Sequence, residues 1–280
     1  MNLFQETNFL MKKYNIYADK KLGQNFLLDE NVVDGIISNS NINNEDLVIE
    51  IGPGLGTLTS KLAEKAKKVI CIELDSKMVN ILKDRFVAYN NVEIINDDCL
   101  KVDINELINQ NKECKSAKVV ANLPYYITTP IIMKLLEEKL KIESITVMIQ
   151  KEVAQRLADK PGGKESGSIT YTVWYFSTPE ILFDVPNNSF IPEPEVTSSV
   201  IKFNILKKPR IEVENEEKFF KVIKTSFMQK RKTLINSLVN GGIISSKEEA
   251  ENILKSLNLD CKIRGEKLTL EDYKKLSEKI

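Results

Sequence analysis

The chain has 280 residues, 42% of them hydrophobic and 29% charged, enough to enclose one large core and carry a smaller module beside it. It contains no histidine, so Ser-His-Asp and Cys-His nucleophiles, His-ligated metals and His general bases are excluded. Forty Lys and Arg balance forty Asp and Glu, but residues 207–280 hold 17 basic against 12 acidic and residues 1–206 hold 23 against 28; a mildly basic tail suits a polyanion partner as well as an ordinary solvated surface.

The N-terminal "MNLFQETNFLMKKYNIYADKK" has no continuous apolar stretch of the signal-peptide kind. No run of about 18 apolar residues marks a membrane span. Five short apolar runs follow: "LVIEI" (47–51), "VICIE" (69–73), "VEII" (92–95), "AKVVA" (117–121) and "ITVMI" (145–149). Continuous β-branched runs of this length are expected for strands buried on both faces of a parallel sheet. Between them lie the helix-like segments 57–66, 76–86 and 129–140, and after the fifth comes another at 151–159. The alternation predicts an α/β, Rossmann-like open sheet with helices on both faces. "KPGGKESGS" (160–168) is a glycine-rich loop. "ITYTVWYF" (169–176) and "SSVIKFNI" (198–205) are expected to close the sheet as two more strands, joined by the proline-stiffened "PNNSFIPEPEV" (186–196). "LKKPRIEVENEE" (206–217) is expected to be a linker. The runs 218–239, 246–257 and 268–280 are helix-like. The expected division is therefore 1–206 for the sheet domain and 207–280 for a small helical one. Cys71, Cys99, Cys114 and Cys261 form no C-x-x-C pair, which fits a reduced cytoplasmic compartment and no zinc site.

Three strand ends carry suitable chemistry for one ligand. "EIGPGLGTLT" (50–59) follows the first buried strand and opens a helix, where glycines admit a ligand to the backbone and the helix start offers free N–H groups. Its spacing, Gly52-x-Gly54-x-Gly56 with Thr57 next, departs from the dinucleotide fingerprint G-x-G-x-x-G. Glu73, at the tip of the second strand, suits both hydroxyls of a ribose. Asp97 and Asp98 follow the third strand, where a carboxylate could accept from an adenine amine. Alone, each acid would pass for a helix cap or a surface charge. Together at successive strand ends they point to an adenosine-containing cofactor.

"NLPYY" (122–126) ends the fourth strand on the same rim. Asn122 brings an amide oxygen, Pro124 lacks an N–H and splays the backbone so that carbonyls of Leu123 and Pro124 stay free, and Tyr125 offers a flat π-face. The set suits a planar base with an exocyclic amine. A Pro-Tyr turn with no ligand is the plainer reading of these five residues by themselves.

"NLPY" resembles the (N/D/S)-(P/I/L)-P-(Y/F) motif of amino-directed S-adenosylmethionine methyltransferases. "KKLGQNFLLD" (20–29), "EIGPGLGTLT", "VICIELD", "NLPYYITTPI", "MIQKEVAQRL" and "SFIPEPEVTSSVI" occur in the order seen in bacterial ribosomal RNA adenine N6,N6-dimethyltransferases, and "FMQKRKTLINSL" and "RGEKLTLEDYKKL" are similar to that family's tail. The resemblance spans roughly residues 20–275 and implies a class I methyltransferase fold using S-adenosyl-L-methionine and acting as a monomer. Its substrate would be two adjacent adenosines near the 3′ end of 16S rRNA, in the small subunit or its precursor. By the same resemblance, Asn25 and Leu27 close over the cofactor, Gly52 meets its amino-acid portion, Glu73 its ribose and Asp98 its adenine. Asn122 sits between cofactor and target, Tyr125 stacks on the target adenine, and Phe190 is the second aromatic. Tyr126 and Thr128 depart from members that read "NLPYNIST". In the tail, Lys221, Lys224, Lys230, Arg231 and Lys232 are the candidate phosphate contacts. Two alternatives remain at this stage: a large-subunit adenine methyltransferase of the macrolide-resistance type, and a non-catalytic ribosome-assembly factor on the same fold.

Overall fold

The computed structural model describes residues 2–17, 23–229 and 231–280. In chain order its elements are α1 (Leu3–Lys13), β1 (Phe26–Leu27), α2 (Glu30–Asn39), β2 (Asp46–Ile51), α3 (Thr57–Lys65), β3 (Lys68–Glu73), α4 (Ser76–Arg85), β4 (Val92–Asn96), α5 (Ile104–Gln110) and β5 (Ser116–Asn122). They continue with α6 (Thr128–Glu137), β6 (Ser144–Gln150), α7 (Lys151–Ala158), α8 (Ser168–Phe176), β7 (Ser177–Val185), β8 (Phe190–Ile191), β9 (Ser198–Ile205), α9 (Glu216–Ser226), α10 (Leu234–Asn240), α11 (Lys247–Ser256) and α12 (Leu270–Lys279).

Seven strands form one mixed sheet in the order β4-β3-β2-β5-β6-β9-β7. The first five of these run parallel to one another, and β9 pairs antiparallel to β6. All five expected parallel strands are present. The central ones are apolar on both faces because helices cover both: β2 is buried along its whole length, whereas the edge strand β4 is only partly covered. The chain winds from β2 outward through β3 to β4, then returns to place β5 on the other side of β2. The crevice between β2 and β5 is therefore a topological switch point, where open α/β sheets take their ligands.

Compact packing divides the chain into one unit of residues 1–154 and 180–205 and another of 155–179 and 206–280. The second unit thus takes in 155–179 as well as the tail, unlike a single cut at 206. The cause is α8. "ITYTVWYF", expected as a strand, is a helix whose Ile169, Tyr171, Val173, Tyr175 and Phe176 are all buried. The alternation Ile169-Thr170-Tyr171-Thr172-Val173 has the period of a strand, but both threonines are buried in the helix along with the apolar residues. Tyr171 donates to the Leu268 carbonyl at 2.6 Å, and Tyr175 packs edge-on against Phe220. The closing strand is β7 instead. Its Pro179 removes a ladder donor, which is tolerated at the sheet edge where β7 lies. The expected linker 206–217 is also fastened within this unit: Arg210 donates to the Trp174 and Ser177 carbonyls and lies over the Trp174 ring. The helix-like run 218–239 breaks into α9 and α10, with Thr233 capping the second.

At the end of the sheet away from the switch-point crevice, two lysines hold α2 in place. Lys118 on β5 donates to the Asn41 carbonyl at 2.8 Å and to Asp46 on β2 at 2.6 Å. Lys202 on β9 donates to the Asn39 carbonyl at 2.8 Å. Burial by itself would raise the Asp46 carboxyl, but hydrogen bonds from Lys118 and Ser116 bring it below its ordinary value. Lys118→Ala should destabilise the fold by about 3–5 kcal/mol, because it strands a buried carboxylate. Replacing both partners, as Lys118→Met with Asp46→Leu, should recover most of the loss in urea unfolding. A single variant as stable as the parent would show that the pair does not hold β2 to β5.

Candidate active site

The turn after β2 needs glycine. Gly52, Gly54 and Gly56 have φ of 66°, 56° and 80°, the left-handed region that side chains rarely enter. A Cβ on Gly56 would also meet the Phe86 ring at 2.6 Å. The loop is tied to the end of β3 from both sides. The Gly52 N–H donates to the Ile72 carbonyl at 2.9 Å, and the Gly54 N–H to Glu73 Oε2 at 3.1 Å. Glu73 Oε1 accepts from the Asp75 N–H at 2.9 Å. Glu73 is buried, and its carboxyl is pushed above its ordinary value chiefly by that burial. A carboxylate offers about four acceptor sites, so these backbone bonds leave Glu73 with capacity for a ligand's hydroxyl. Asp98, half-buried beyond β4, turns one oxygen to the Leu100 N–H at 3.0 Å.

At the end of β5 the Leu123 N–H donates to the Met148 carbonyl at 3.1 Å, which locks the start of "NLPYY" to β6. Pro124 then opens a short 3-10 turn, Tyr125–Ile127. Its carbonyl accepts from the Ile127 N–H at 3.2 Å and from Thr128 Oγ1 at 3.0 Å. Among the described residues nothing donates to the Leu123 carbonyl. Of the two carbonyls expected to stay free, Leu123 therefore keeps its acceptor and Pro124 does not.

Segment 23–27 lies across the same cleft. Asn122 Nδ2 donates to the Asn25 carbonyl at 3.3 Å, so the amide oxygen is the atom left to accept. Asn25 Nδ2 reaches the Gly23 carbonyl and Gln24 Nε2 reaches Asp75 Oδ2, each at 3.3 Å. A Cβ on Gly23, at φ 61°, would come within 3.3 Å of the Tyr126 ring. Phe26 is buried with Ile16, Leu55, Met78 and Ile81. Of "KKLGQNFLLD", Lys20, Lys21 and Leu22 lie outside the described residues.

These parts enclose one cleft of about 1100 Å³, counting the space open at its mouth. Asn25, Leu27, Gly52, Glu73, Asp98, Asn122, Leu123, Pro124 and Tyr125 all line it, as the sequence reading requires of a single site. Residues 16–280 match the family described as ribosomal RNA adenine dimethylase. The chain belongs to that family.

Similar proteins include the ribosomal RNA small subunit methyltransferase A of Alkaliphilus oremlandii, 45% identical over 99% of this chain and 96% of that one. The protein of the same name from Clostridium botulinum is 49% identical over 98% of each chain. Among solved structures, a dimethyladenosine transferase from Plasmodium falciparum superposes with a TM-score of 0.74 at 28% identity, covering 90% of this chain and 95% of that one. The 23S rRNA methyltransferase ErmE shares the fold, with a TM-score of 0.69 at 24% identity, over 91% of this chain and 99% of that one. The protein is thus an rRNA adenine dimethylase with a class I methyltransferase sheet and C-terminal helices.

One expected member of the dimethylase site lies elsewhere. Phe190 is 3% exposed and does not line the cleft. β8 pairs with β1, Leu27 opposite Phe190, and both side chains are buried in the core cluster with Val33 and Ile36. In this conformation the ring is a packing residue with no free face for a base. In the second unit, Lys221 and Lys224 stand on the exposed face of α9, opposite buried Val222 and Ile223, and exposed Arg231 and Lys232 follow in the turn before α10. Lys230 lies outside the described residues.

Glu50, the first letter of the glycine motif, carries no local signal of a role, because on an apolar strand it has no partner in sequence. It is buried and lines the cleft. Thr59 Oγ1 donates to it at 2.6 Å, and the Cys71 thiol lies 3.6 Å away. Burial pushes its carboxyl up to about 7. Between about pH 4.5 and 7 the unfolded chain ionises Glu50 while the folded one keeps the proton, so stability is lost as pH rises through that window. Glu50→Gln should flatten this part of the pH dependence of the melting temperature in ligand-free protein. An unchanged slope in the variant would mean that Glu50 is already ionised in the fold.

Proposed function

We propose that this dimethylase transfers methyl groups from S-adenosyl-L-methionine to N6 of two adjacent adenosines near the 3′ end of 16S rRNA, in the small subunit or its precursor. The observation that carries this reading is the pair of acceptors on one cleft wall, Asn122 Oδ1 and the Leu123 carbonyl, oriented by the bonds to Asn25 and Met148. When bound, the cofactor supplies an electrophilic methyl sulfonium. Glu73 takes the ribose hydroxyls, Asp98 the adenine amine and Gly52 the amino-acid end, while Asn25 and Leu27 close over the cofactor.

An adenine amine is a weak nucleophile because its lone pair is delocalised into the ring. Asn122 Oδ1 and the Leu123 carbonyl accept its two protons and favour a pyramidal nitrogen whose lone pair is free. Tyr125 stacks on the ring and fixes its distance. Holding the nitrogen in line at about 3–3.5 Å from the methyl carbon supplies much of the acceleration. Transfer would leave the cofactor as its neutral thioether, and the proton lost from N6 would pass to water, so no histidine or metal is needed. After the first methylation N6 still carries one proton for the same acceptors, which allows a second.

Labelled-cofactor transfer should mark isolated small subunits and not large ones; label in large subunits would redirect the assignment to 23S rRNA. Asn122→Ala should lower the single-turnover rate at least 10-fold while leaving RNA binding nearly intact, because it removes an acceptor needed at the reacting nitrogen. Equal rates would remove Asn122 from the mechanism.

We assign phosphate contacts to Lys221, Lys224, Lys230, Arg231 and Lys232. Neutralising Arg231 and Lys232 should lower the salt dependence of RNA binding by about 0.7–0.9 per lost contact without changing cofactor affinity. An unaltered salt slope would show that the RNA lies elsewhere.

A further inference from the structure

Tyr125 and Tyr126 are neighbours on one short turn, and both line the cleft. They are held very differently. Tyr126 is 58% exposed, and its hydroxyl makes no hydrogen bond among the described residues. Tyr125 is half-buried, with its hydroxyl 2.7 Å from Ser198 Oγ. Ser198 is fully buried at the start of β9, opposite Gln150 at the end of β6. The neighbouring Thr197 carbonyl accepts from the Lys151 N–H at 3.0 Å. The turn that carries Tyr125 is itself fixed to β6 through Leu123 and Met148.

The ring is therefore held at both ends. Its Cα is set by the β5–β6 pairing, and its phenol oxygen is set by β9 on the far side of β6. A tyrosine ring on a loop has two free torsions, and a hydrogen bond at its tip removes most of that freedom. Burial also keeps the phenol neutral, because it pushes the hydroxyl above its ordinary value. The hydroxyl thus stays available as a donor or acceptor for Ser198.

We propose that Ser198 is a positioning residue for methyl transfer: its hydroxyl anchors Tyr125 so that the π-face is set before the adenine arrives. This rests on the reading above that Tyr125 stacks on the target base. Fixing the face in advance spares the loss of ring freedom on binding, so the effect belongs to the transfer step and to RNA engagement and not to cofactor affinity.

The test is a double-mutant cycle on single-turnover transfer to small-subunit rRNA at saturating cofactor, with cofactor affinity and melting temperature measured for each variant. Tyr125→Phe and Ser198→Ala should each slow transfer about 3- to 10-fold, the range for one lost hydrogen bond. The double variant should be no slower than the slower single one, because both changes break the same contact. Tyr125→Ala should be slower than all three. A folded Ser198→Ala enzyme at the parental rate, or rate losses that multiply in the double variant, would overturn the anchor while a slow Tyr125→Ala still upholds stacking. Tyr125→Ala at the parental rate would sink the stacking role and the anchor together. Tyr125→Phe breaks the contact without touching the buried Ser198 position, so it decides the matter even if Ser198→Ala proves unstable.

Discussion

Strands β2 and β5 pair in parallel from Asp46 opposite Ser116 to Glu50 opposite Val120, and the site depends on that ladder. One end is closed by the buried Lys118–Asp46 pair. The other end opens where the chain has wound away from β2 in both directions, so no crossover covers the crevice. Gly52 and Asn122 stand at that open end only because the two strands are in this register. A slip of one residue would turn every β5 side chain to the opposite face and carry Asn122 away from the glycine loop.

The glycine loop and the "NLPYY" turn are then stiffened by bonds made to other parts of the same unit. Glu73 binds the loop through Gly54 and the chain beyond β3 through Asp75. Met148 holds Leu123, and the Asn25 carbonyl orients the Asn122 amide. Acceptors oriented before the substrate binds need no reorganisation during the reaction, which is where such sites gain most of their rate. Segment 23–27 serves both halves of the cleft. It covers the side with Glu73 through Gln24 and Asp75, and it aims the amide on the side with Tyr125.

The absence of histidine is consistent with a mechanism that accepts N–H protons on an amide and a peptide carbonyl, neither of which changes charge near neutral pH. Glu50 and Glu73 line the same cleft beside the glycine loop. Burial raises both, so a positively charged ligand above the loop would favour their ionised forms.

The sequence by itself determined the five parallel strands, the glycine turn, the acids at successive strand ends and the "NLPYY" motif. Each is a local signal: a continuous β-branched run, a left-handed turn that needs glycine, or an acid a fixed distance beyond it. The local signal for "ITYTVWYF" misled because its alternating start is the pattern of a strand. α8 is buried on nearly every side, threonines included, so its helical state was decided by Tyr171 and Tyr175 packing in the second unit. The strand was left to "STPEILFDV", whose proline tolerates only an edge. What tertiary structure alone decided are contacts between residues far apart in the chain: Asn122 with Asn25, Tyr125 with Ser198, Gln24 with Asp75, and Glu50 with Thr59 and Cys71. It also turned Phe190 into the core by pairing β8 with β1. Which of two carbonyls stays free after Asn122 was likewise invisible in "NLPYY", because it depends on the turn that follows folding back onto Pro124.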